Sequence, residues 1–299
     1  STNSLMLSIL IPTYNYNIFQ LVSTIHKQVI NSKIFFEIIC IDDASPIAFD
    51  ENLKINELDN VTFEVLQDNI GRSKIRNLLA EKAKYSWLLF LDADVLPEND
   101  NFIGDYLKYM DEEVKAVNGG LLYQSQNPEK NKLLRWFYGK SREALPTKIR
   151  NENPYLSFLT LNFLIHKSVF NQVSFNETIP NLRHEDTLFS YNLKQKNIKI
   201  VHVNNPVIHF GLDDFDIAIK KEKESLQGLK YLLDNNLIDY EYLKISKLYC
   251  QLKRNKITPI VAFFYKIFQS NLLKNLSSDS PSLFVFDIYR IGYLCSLKK

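Results

Sequence analysis

The sequence predicts an α/β protein in which a mainly parallel open sheet is flanked by helices and followed by a helical C-terminal extension. The first observation is a series of short apolar runs such as Trp87–Leu91, which suit strands buried on both faces. The second is that these runs alternate with segments of helical spacing, which favours βαβ units. The third is a change of character after Asp213, where long charged and then aromatic helical segments follow.

The N-terminal part reads as strands and helices in regular alternation before Trp87–Leu91. In the first predicted helix, for example, Leu21, Ile25 and Val29 recur on one face. The preceding elements are predicted strands at Leu5–Pro12, Phe35–Ile41 and Val61–Leu66 and predicted helices at Phe19–Lys33 and Arg72–Lys84.

The second half has a less regular order, and the segment from Tyr123 to Tyr155 is polar and irregular apart from a short helix. Beyond Asp213, four helices are expected. The predicted strands are Val114–Asn118, Leu156–Ile165 and Ile198–Val203, and the predicted helices are Phe102–Met110, Lys167–Gln172, one from about Glu185 to Lys196, Asp216–Leu233, Glu241–Lys256, Thr258–Leu273 and Pro281–Leu297.

Composition and charge describe an ordinary globular chain. Its 299 residues are 45% hydrophobic and carry a net charge of +2, which provides no global field for binding nucleic acid. Cys40, Cys250 and Cys295 are too few and too far apart to favour a disulfide framework or a zinc cluster, and they fit a reducing compartment. No apolar run reaches the ~18 residues of a membrane span, and the N-terminus lacks a signal-peptide pattern. We therefore expect a cytoplasmic protein.

Carboxylates stand directly after two of the apolar strands. Asp92 and Asp94, separated by Ala93, follow Trp87–Leu91, and Asp42 follows the second strand. Open α/β sheets bind ligands at the carboxyl ends of their strands, and two Asp residues one apart can both turn toward a hard cation. Because Asp also follows strands as a cap or turn residue, this motif alone leaves both interpretations open.

The usual phosphate-binding loops are absent from the sequence. No G-x-G-x-x-G follows the first strand, and no G-x-x-x-x-G-K-[ST] occurs. Gly71, Arg72 and Lys74 instead open a predicted helix, where backbone amides and basic side chains suit an anion such as diphosphate. A solvated basic helix face explains the same residues equally well.

Four sequence blocks together resemble the family 2 inverting glycosyltransferases, in the same order and at similar spacing. They are I-P-T-Y-N at Ile11–Asn15, I-D-D-A-S at Ile41–Ser45, N-I-G-R-S-K-I-R-N at Asn69–Asn77 and L-D-A-D at Leu91–Asp94. The resemblance runs from about Leu7 to about His209. It implies a GT-A fold with a Rossmann-like sheet, a nucleotide-sugar donor and a divalent metal, Mn²⁺ or Mg²⁺.

The resemblance also implies which residues bind the donor and the metal. Asp42 is expected to hydrogen-bond the base, which is uracil in most relatives, whereas Asp43 is interpreted as a turn cap. Asp94 is expected to be the direct metal ligand, and Asp92 is expected to contact the ribose or the metal shell. His209 is expected to be a further metal contact, with His202, inside a predicted strand, as the less favoured candidate. The expected donor-binding residues are Pro12, Thr13, Tyr14, Asp42, Gly71, Arg72, Lys74, Asp92 and Ala93.

Glu185 and Asp186 stand where the family carries its general base. Such a pair near a helix N-terminus is also explained by the helix dipole. Attack by an acceptor hydroxyl requires loss of its proton, and a positioned carboxylate contributes typically ~10²–10⁴-fold to such a step. The resemblance implies that Asp186 is the base, that Glu185 supports it or binds the acceptor, and that His184 orients the pair.

We expect residues 1–212 to form the GT-A nucleotide-sugar-binding and catalytic domain and residues 213–299 to form a helical region. The implied acceptor is a glycan or a lipid-linked sugar. The aromatic helices with interspersed Lys and Arg suit packing within the protein, homo-oligomer contact, or peripheral contact with the inner face of the membrane. Packing is the favoured interpretation.

The resulting hypothesis is a metal-dependent inverting glycosyltransferase that moves a hexosyl or N-acetylhexosaminyl group, with a UDP-linked donor favoured, to a hydroxyl. Two alternatives stay open. One is a catalytically inactive nucleotide- or glycan-binding module. The other is a nucleotidyltransferase, although those enzymes usually carry a Gly-rich basic loop after the first strand, where this chain reads T-Y-N-Y-N.

Overall fold

The computed structural model describes residues 5–110 and 113–298. Residues 1–4, 111–112 and 299, which fall in the two expected domain ranges, lie outside the described residues. The chain divides into two compact units, each discontinuous in sequence. The first comprises Ser1–Gln124, Ala144–Glu177 and Asn192–Gly211, and the second comprises Ser125–Glu143, Thr178–Tyr191 and Leu212–Lys299. The division into functional domains at residue 212 stays a prediction.

The first unit contains a seven-stranded, mainly parallel sheet with the order β3-β2-β1-β4-β8-β6-β9. Only β8 is antiparallel to its neighbours, β4 and β6. This architecture confirms the predicted fold class. The strands of the chain are β1 (Met6–Thr13), β2 (Phe35–Asp42), β3 (Val61–Val65), β4 (Trp87–Leu91), β5 (Val95–Pro97), β6 (Ala116–Asn118), β7 (Leu121–Leu122), β8 (Asn162–His166), β9 (Ile200–His202) and β10 (Val207–His209).

The central strands are apolar because helices cover both faces of the sheet. All five residues of β4 are buried, and β1 buries Leu7 and Ile9–Ile11 completely. The chain adds β2 and β3 on one side of β1 and then places β4 on its other side. The strand order therefore reverses between β1 and β4.

Three very short strands form a second sheet in the same unit, with the order β5-β10-β7. β10 is antiparallel to β5 and parallel to β7. The sequence analysis did not predict these strands, because two or three residues are too few to show a period. Their importance is that β5 directly follows Asp94.

The sequence predicted the α-helices of the described residues except those at Asp50–Leu53 and Thr147–Glu152, and most occur within a few residues of their expected bounds. They are α1 (Phe19–Asn31), α2 (Asp50–Leu53), α3 (Arg72–Lys82), α4 (Phe102–Leu107), α5 (Leu133–Tyr138), α6 (Thr147–Glu152), α7 (Lys167–Val173), α8 (Glu185–Gln195), α9 (Phe215–Asp234), α10 (Lys244–Arg254), α11 (Thr258–Leu276) and α12 (Leu283–Ser296), with short 3₁₀ segments at Lys54–Glu57 and Lys130–Lys132 and a π segment at Gly139–Glu143.

The strand predicted at Leu156–Ile165 is wrong in its first half. β8 begins only at Asn162. Before it the backbone turns, because the Ser157 N–H donates to the Asn153 carbonyl and the Phe158 N–H donates to the Tyr155 carbonyl. Of the apolar residues of this turn, Phe158 packs inward and is 2% exposed, whereas Leu156 is 49% exposed. An apolar run alone did not distinguish the turn from a strand.

The second unit is helical. One core cluster joins Leu188 of α8 to Leu226, Leu229 and Leu232 of α9 and Leu294 of α12. Among residues 5–110 and 113–298, no helix is both long enough and apolar enough to cross a membrane.

Candidate functional site

The carboxyl ends of β2, β1 and β4 lie side by side in the first unit. Thr13 at the end of β1 is paired with Asp42 at the end of β2, and β4, on the other side of β1, ends directly before Asp92. Ligands of open α/β sheets bind where the strand order reverses, outside the carboxyl ends of the strands. The strand-end residues that the sequence analysis selected therefore border one crevice.

Asp94 and His209 meet at this edge although 115 positions separate them in sequence. Asp94 Oδ2 lies 3.1 Å from His209 Nε2. Backbone pairing brings them together: His209 of β10 is opposite Val95 of β5, and the Phe210 N–H donates to the Asp94 carbonyl over 2.8 Å. The second sheet thus places two of the predicted metal-binding residues next to each other.

The Asp94–His209 pair fits one side of a cation site. Two adjacent ligand atoms of one octahedral Mg²⁺ lie about 3 Å apart, which matches the 3.1 Å between Asp94 Oδ2 and His209 Nε2. The His209 ring packs edge-on against Tyr123 at 5.4 Å, and its buried Nδ1 has no hydrogen-bond partner among the described residues. Within that part of the chain no group of three His, Cys, Asp or Glu side chains is arranged to hold a metal. A cation here would therefore need oxygens from a bound diphosphate or water.

Gly211 leaves room for these two side chains. A Cβ at this position would overlap the Asp94 carboxylate and would lie 3.0 Å from His209 Nε2. Any larger residue would displace the pair. The sequence analysis did not single out Gly211, and the only signal available was a glycine two residues after His209.

Asp92 is held by an arginine. Arg76 Nη2 lies 3.0 Å from Asp92 Oδ1, and only 8% of the Arg76 side chain is exposed. Burial raises the pKa of Asp92 above its usual value, and the neighbouring Asp94 charge also raises it, whereas Arg76 lowers it. Arg76 orients one oxygen of the Asp92 carboxylate. The role of Asp92 as a metal ligand stays a prediction. Arg76 was not selected from the sequence, although it stands in the block Asn69–Asn77 that carries the family resemblance.

Hydrogen bonds tie the loops after β1 and β2 together. Asp42 is 5% exposed, and its two carboxylate oxygens accept hydrogen bonds from the Ser45 N–H (2.7 Å) and the Ser45 hydroxyl (2.8 Å). The same hydroxyl accepts a hydrogen bond from the Asn15 N–H at 2.7 Å. Tyr14 of this loop is 52% exposed. The structure thus places Asp42 and Tyr14 at the crevice, whereas their expected contacts with a nucleotide stay predictions.

The N-terminus of α3 differs from the expectation. Asp43 accepts hydrogen bonds from the Ile70 N–H at 2.7 Å and from the Gly71 N–H at 2.9 Å, and Gly71 has a φ of 89° that favours glycine. These two amides are therefore not available to a diphosphate, and a carboxylate already complements the helix dipole. Asp43 is a turn cap, as interpreted. The remaining basic candidates are Arg72 and Lys74.

The acidic pair Glu185–Asp186 lies in the second unit, in the first turn of α8. The preceding residues, Arg183 and His184, have φ values of 79° and 65°, which are uncommon for residues other than glycine. Such conformations persist where the surroundings impose them, and they cluster at functional sites. Gly228 of α9 allows the close approach, because a Cβ there would lie 2.8 Å from the Arg183 carbonyl oxygen.

His184 anchors this turn. Its Nδ1 lies 2.8 Å from the Thr187 hydroxyl and its Nε2 lies 2.9 Å from the Ser225 hydroxyl of α9. Burial lowers the pKa of His184 to about 4, so the ring is neutral at pH 7. Because Asp186 Oδ1 accepts from the Thr187 N–H at 2.8 Å, His184 supports the same turn that carries the acid. The catalytic role of the pair stays a prediction.

Solved structures of other proteins share this fold. TarS 1–349 from S. aureus is 19% identical to the chain, with a TM-score of 0.51 and coverage of 96% of this chain and 90% of TarS 1–349. Its complex with UDP-GlcNAc gives 17% identity, a TM-score of 0.52 and coverage of 96% and 90%. The mannosyltransferase PcManGT from Pyrobaculum calidifontis, in complex with GDP-Man and Mn²⁺, is 12% identical to the chain, with a TM-score of 0.54 and coverage of 96% of this chain and 85% of PcManGT.

Sequence comparison points the same way. None of the curated proteins compared with the chain matches it. The model of the family described as "Glycosyl transferase family 2" matches residues 8–177, a range that contains the four sequence blocks, most of β1 and all of β2 to β8. With this match over more than half of its length, and with a GT-A fold, the chain belongs to glycosyl transferase family 2.

Proposed function

We propose that this glycosyltransferase is metal-dependent and inverting. It transfers a hexosyl or N-acetylhexosaminyl group from a UDP-linked donor to a hydroxyl of a glycan or lipid-linked acceptor. The observation that carries the proposal is the grouping of Asp92, Asp94 and His209 in the crevice outside the carboxyl ends of β1 and β4, where the strand order reverses.

The donor is divided between the two sides of this crevice. The base lies by the loops after β1 and β2, where Tyr14 offers an exposed ring and Asp42 a carboxylate. The diphosphate lies by Asp94 and His209. A cation held by these two residues would offset the negative charge that develops on the leaving diphosphate. Arg76 keeps Asp92 oriented beside them.

The chemical step is a single displacement. The acceptor hydroxyl loses its proton to Asp186, its oxygen forms a bond to the anomeric carbon, and the bond from that carbon to the diphosphate oxygen breaks. The electron pair leaves with the nucleoside diphosphate, so the configuration at the anomeric carbon inverts. The neutral His184 holds the turn that presents Asp186.

The structural neighbours support the choice of donor class. TarS 1–349 was solved with UDP-GlcNAc and with UDP, and PcManGT with GDP-Man and Mn²⁺. The family's preference for uracil and the Asp94–His209 pair favour UDP with a divalent cation for this chain.

A thermal-shift panel tests the proposal. Wild type, Asp94→Asn and the matched control Asp68→Asn, an exposed aspartate after β3, are each melted with UDP, GDP, CMP or dTDP, with and without Mn²⁺. We expect UDP with Mn²⁺ to raise the Tm of wild type and Asp68→Asn but not that of Asp94→Asn. If no nucleotide raises the Tm of wild type under any metal condition, the proposal is overturned.

Two further readouts separate the alternatives. UDP binding without release of UDP from any UDP-sugar would favour an inactive nucleotide-binding module. Release of pyrophosphate from a nucleoside triphosphate and a sugar phosphate would identify a nucleotidyltransferase instead.

A further inference from the structure

Helix α11 carries an exposed aromatic face. Its members recur at i, i+3, i+4, i+7 and i+8, and each exposes between 49% and 61% of its surface. Single exposed apolar residues are normal, but a contiguous apolar surface on one side of a helix marks a binding site. This aromatic face consists of Ile260, Phe263, Phe264, Ile267 and Phe268.

The other side of α11 is already used for packing within the second unit. Tyr265 is 7% exposed, and its ring lies 5.5 Å from that of Tyr289 on α12. Gly292 of α12 makes this approach possible, since a Cβ there would lie 2.6 Å from the Tyr265 ring. The packing favoured by the sequence analysis therefore accounts for one side of α11 and leaves the aromatic face uncovered within the described chain.

The stretch of sequence that carries the aromatic face contains only positive charges. Residues 242–278, which include α10 and α11, contain seven Lys or Arg residues and no Asp or Glu. All seven are exposed, although Lys253 also lies 3.9 Å from Asp234 of α9. They are Lys244, Lys247, Lys253, Arg254, Lys256, Lys266 and Lys274. Lys274 lies seven residues after Ile267, on the same side of the helix as the aromatic face.

We propose that the aromatic face of α11 binds a membrane surface that contains anionic lipid. Helices that lie in a membrane interface combine large apolar side chains with Lys and Arg, and each basic residue near an anionic surface adds to the attraction. A second copy of the chain is a poorer occupant. A two-fold interface presents the same surface twice, and residues 242–278 have no acidic side chain to pair with the seven basic ones.

Co-sedimentation of the full chain with vesicles tests this proposal. Because the experiment contains no nucleotide, failure of the membrane proposal can be distinguished from failure of the proposed donor site. The protein is mixed with vesicles of phosphatidylcholine alone or of phosphatidylcholine with phosphatidylglycerol. We expect binding to the phosphatidylglycerol vesicles that weakens with added salt and weak binding to phosphatidylcholine alone. No binding to either vesicle would overturn the proposal.

Two variants separate the apolar and the basic contributions. Phe263→Ser with Phe264→Ser is expected to weaken partitioning at least about tenfold, because it removes two rings from the interface. Lys266→Gln with Lys274→Gln is expected to weaken it by about fivefold for each charge removed. The control is Phe35→Ser, because Phe35 at the start of β2 is 59% exposed, close to the 61% of Phe263. It should bind as wild type does.

Controls for folding and association complete the test. All altered side chains are exposed, so the variants should melt at the temperature of wild type. The proposal would be contradicted if the double Phe variant bound vesicles as tightly as wild type. A second result would also contradict it: light scattering finds that wild type is a dimer and that the double Phe variant is a monomer, and wild type does not bind vesicles. The aromatic face would then be covered by a second copy of the chain.

Discussion

The acidic pair of the first unit, Asp92 and Asp94, and that of the second unit, Glu185 and Asp186, have the same chemistry but different supports. Asp92 is held by the guanidinium of Arg76 and Asp94 contacts the His209 ring. Asp186, by contrast, follows a turn with two left-handed residues and accepts a backbone N–H. The first pair is placed among side chains that suit a cation, whereas the second is carried by a turn held by a neutral histidine.

This difference suggests a division of labour. A carboxylate beside a histidine, in a crevice between strand ends, is suited to binding a metal and a diphosphate. A carboxylate on a constrained turn that a neutral histidine supports is suited to accepting a proton. If this contrast is correct, Asp94 controls binding of the donor and Asp186 controls turnover.

The largest expected effect is on turnover in Asp186→Asn. Loss of a positioned base is expected to lower kcat by about 10²–10⁴-fold, while the affinity for UDP with Mn²⁺ changes little. UDP release from a UDP-sugar panel measures the rate, and calorimetry measures affinity. Asp216→Asn is the matched control, since Asp216 is also an acid in the first turn of a helix in the second unit. Equal losses in both variants would argue for a helix-dipole role.

Asp94→Asn should act on binding. The amide keeps the shape of the carboxylate but lacks its charge, so we expect metal-dependent UDP affinity to fall by about 10²-fold or more. Asp68→Asn serves as the control. Retained Mn²⁺-dependent binding in Asp94→Asn would remove this residue from the metal site.

Gly211→Ala tests the space beside Asp94 and His209. The new Cβ would push the Asp94 carboxylate aside, and we expect a loss of about 10–100-fold in metal-dependent affinity, as for residues that orient metal ligands. Gly104→Ala, inside α4, is a matched control because its Cβ would crowd Asn101, the N-cap residue of that helix, instead. If Gly211→Ala bound metal and UDP normally, the pair would not be the binding site.

The smallest expected effect is a decrease in the free energy of unfolding at acidic pH, which results from protonation of His202. This ring is 2% exposed, its Nδ1 faces Arg150 Nη1 at 3.1 Å and its Nε2–H donates to the Pro154 carbonyl at 2.7 Å. Burial lowers its pKa from 6.5 to about 4. Between these values the unfolded chain binds the proton more tightly, so stability falls as the pH falls.

The expected loss is about 2 kcal/mol in the free energy of unfolding between pH 7 and pH 5. Urea titrations of wild type and His202→Gln at both pH values measure it. His202→Gln should be less stable at pH 7 but should lose less stability on acidification. An identical pH dependence in both proteins would show that His202 titrates normally.

The sequence predicted the strands that are continuous apolar runs of five or more residues and the helices that repeat a helical period. β1, β2 and β4 and helices α1 and α3 occur where expected, and the strand-end positions of Asp42, Asp92 and Asp94 follow from them. Because parallel strands end at one edge, these residues had to lie near each other. That inference needed no knowledge of side-chain contacts.

The contacts that complete the candidate site could not be predicted from periodicity, because they depend on structure without a sequence period. The three residues of β5 and the three of β10 bring His209 to Asp94, an approach that only the family resemblance had implied, and Gly211 is required because of that pairing. Asp43 was interpreted as a turn cap, but no local pattern indicated that it caps the start of α3. Two adjacent aspartates look alike in sequence, but only Asp43 turns back to the amides of Ile70 and Gly71.

Calorimetric titration of UDP with Mn²⁺ into Asp94→Asn and Asp186→Asn, side by side with wild type, tests the division of labour most directly. We expect Asp186→Asn to bind within about threefold of wild type, because it has lost only a proton acceptor. We expect Asp94→Asn to lose its metal-dependent binding. Binding that is retained in Asp94→Asn and lost in Asp186→Asn would contradict the account.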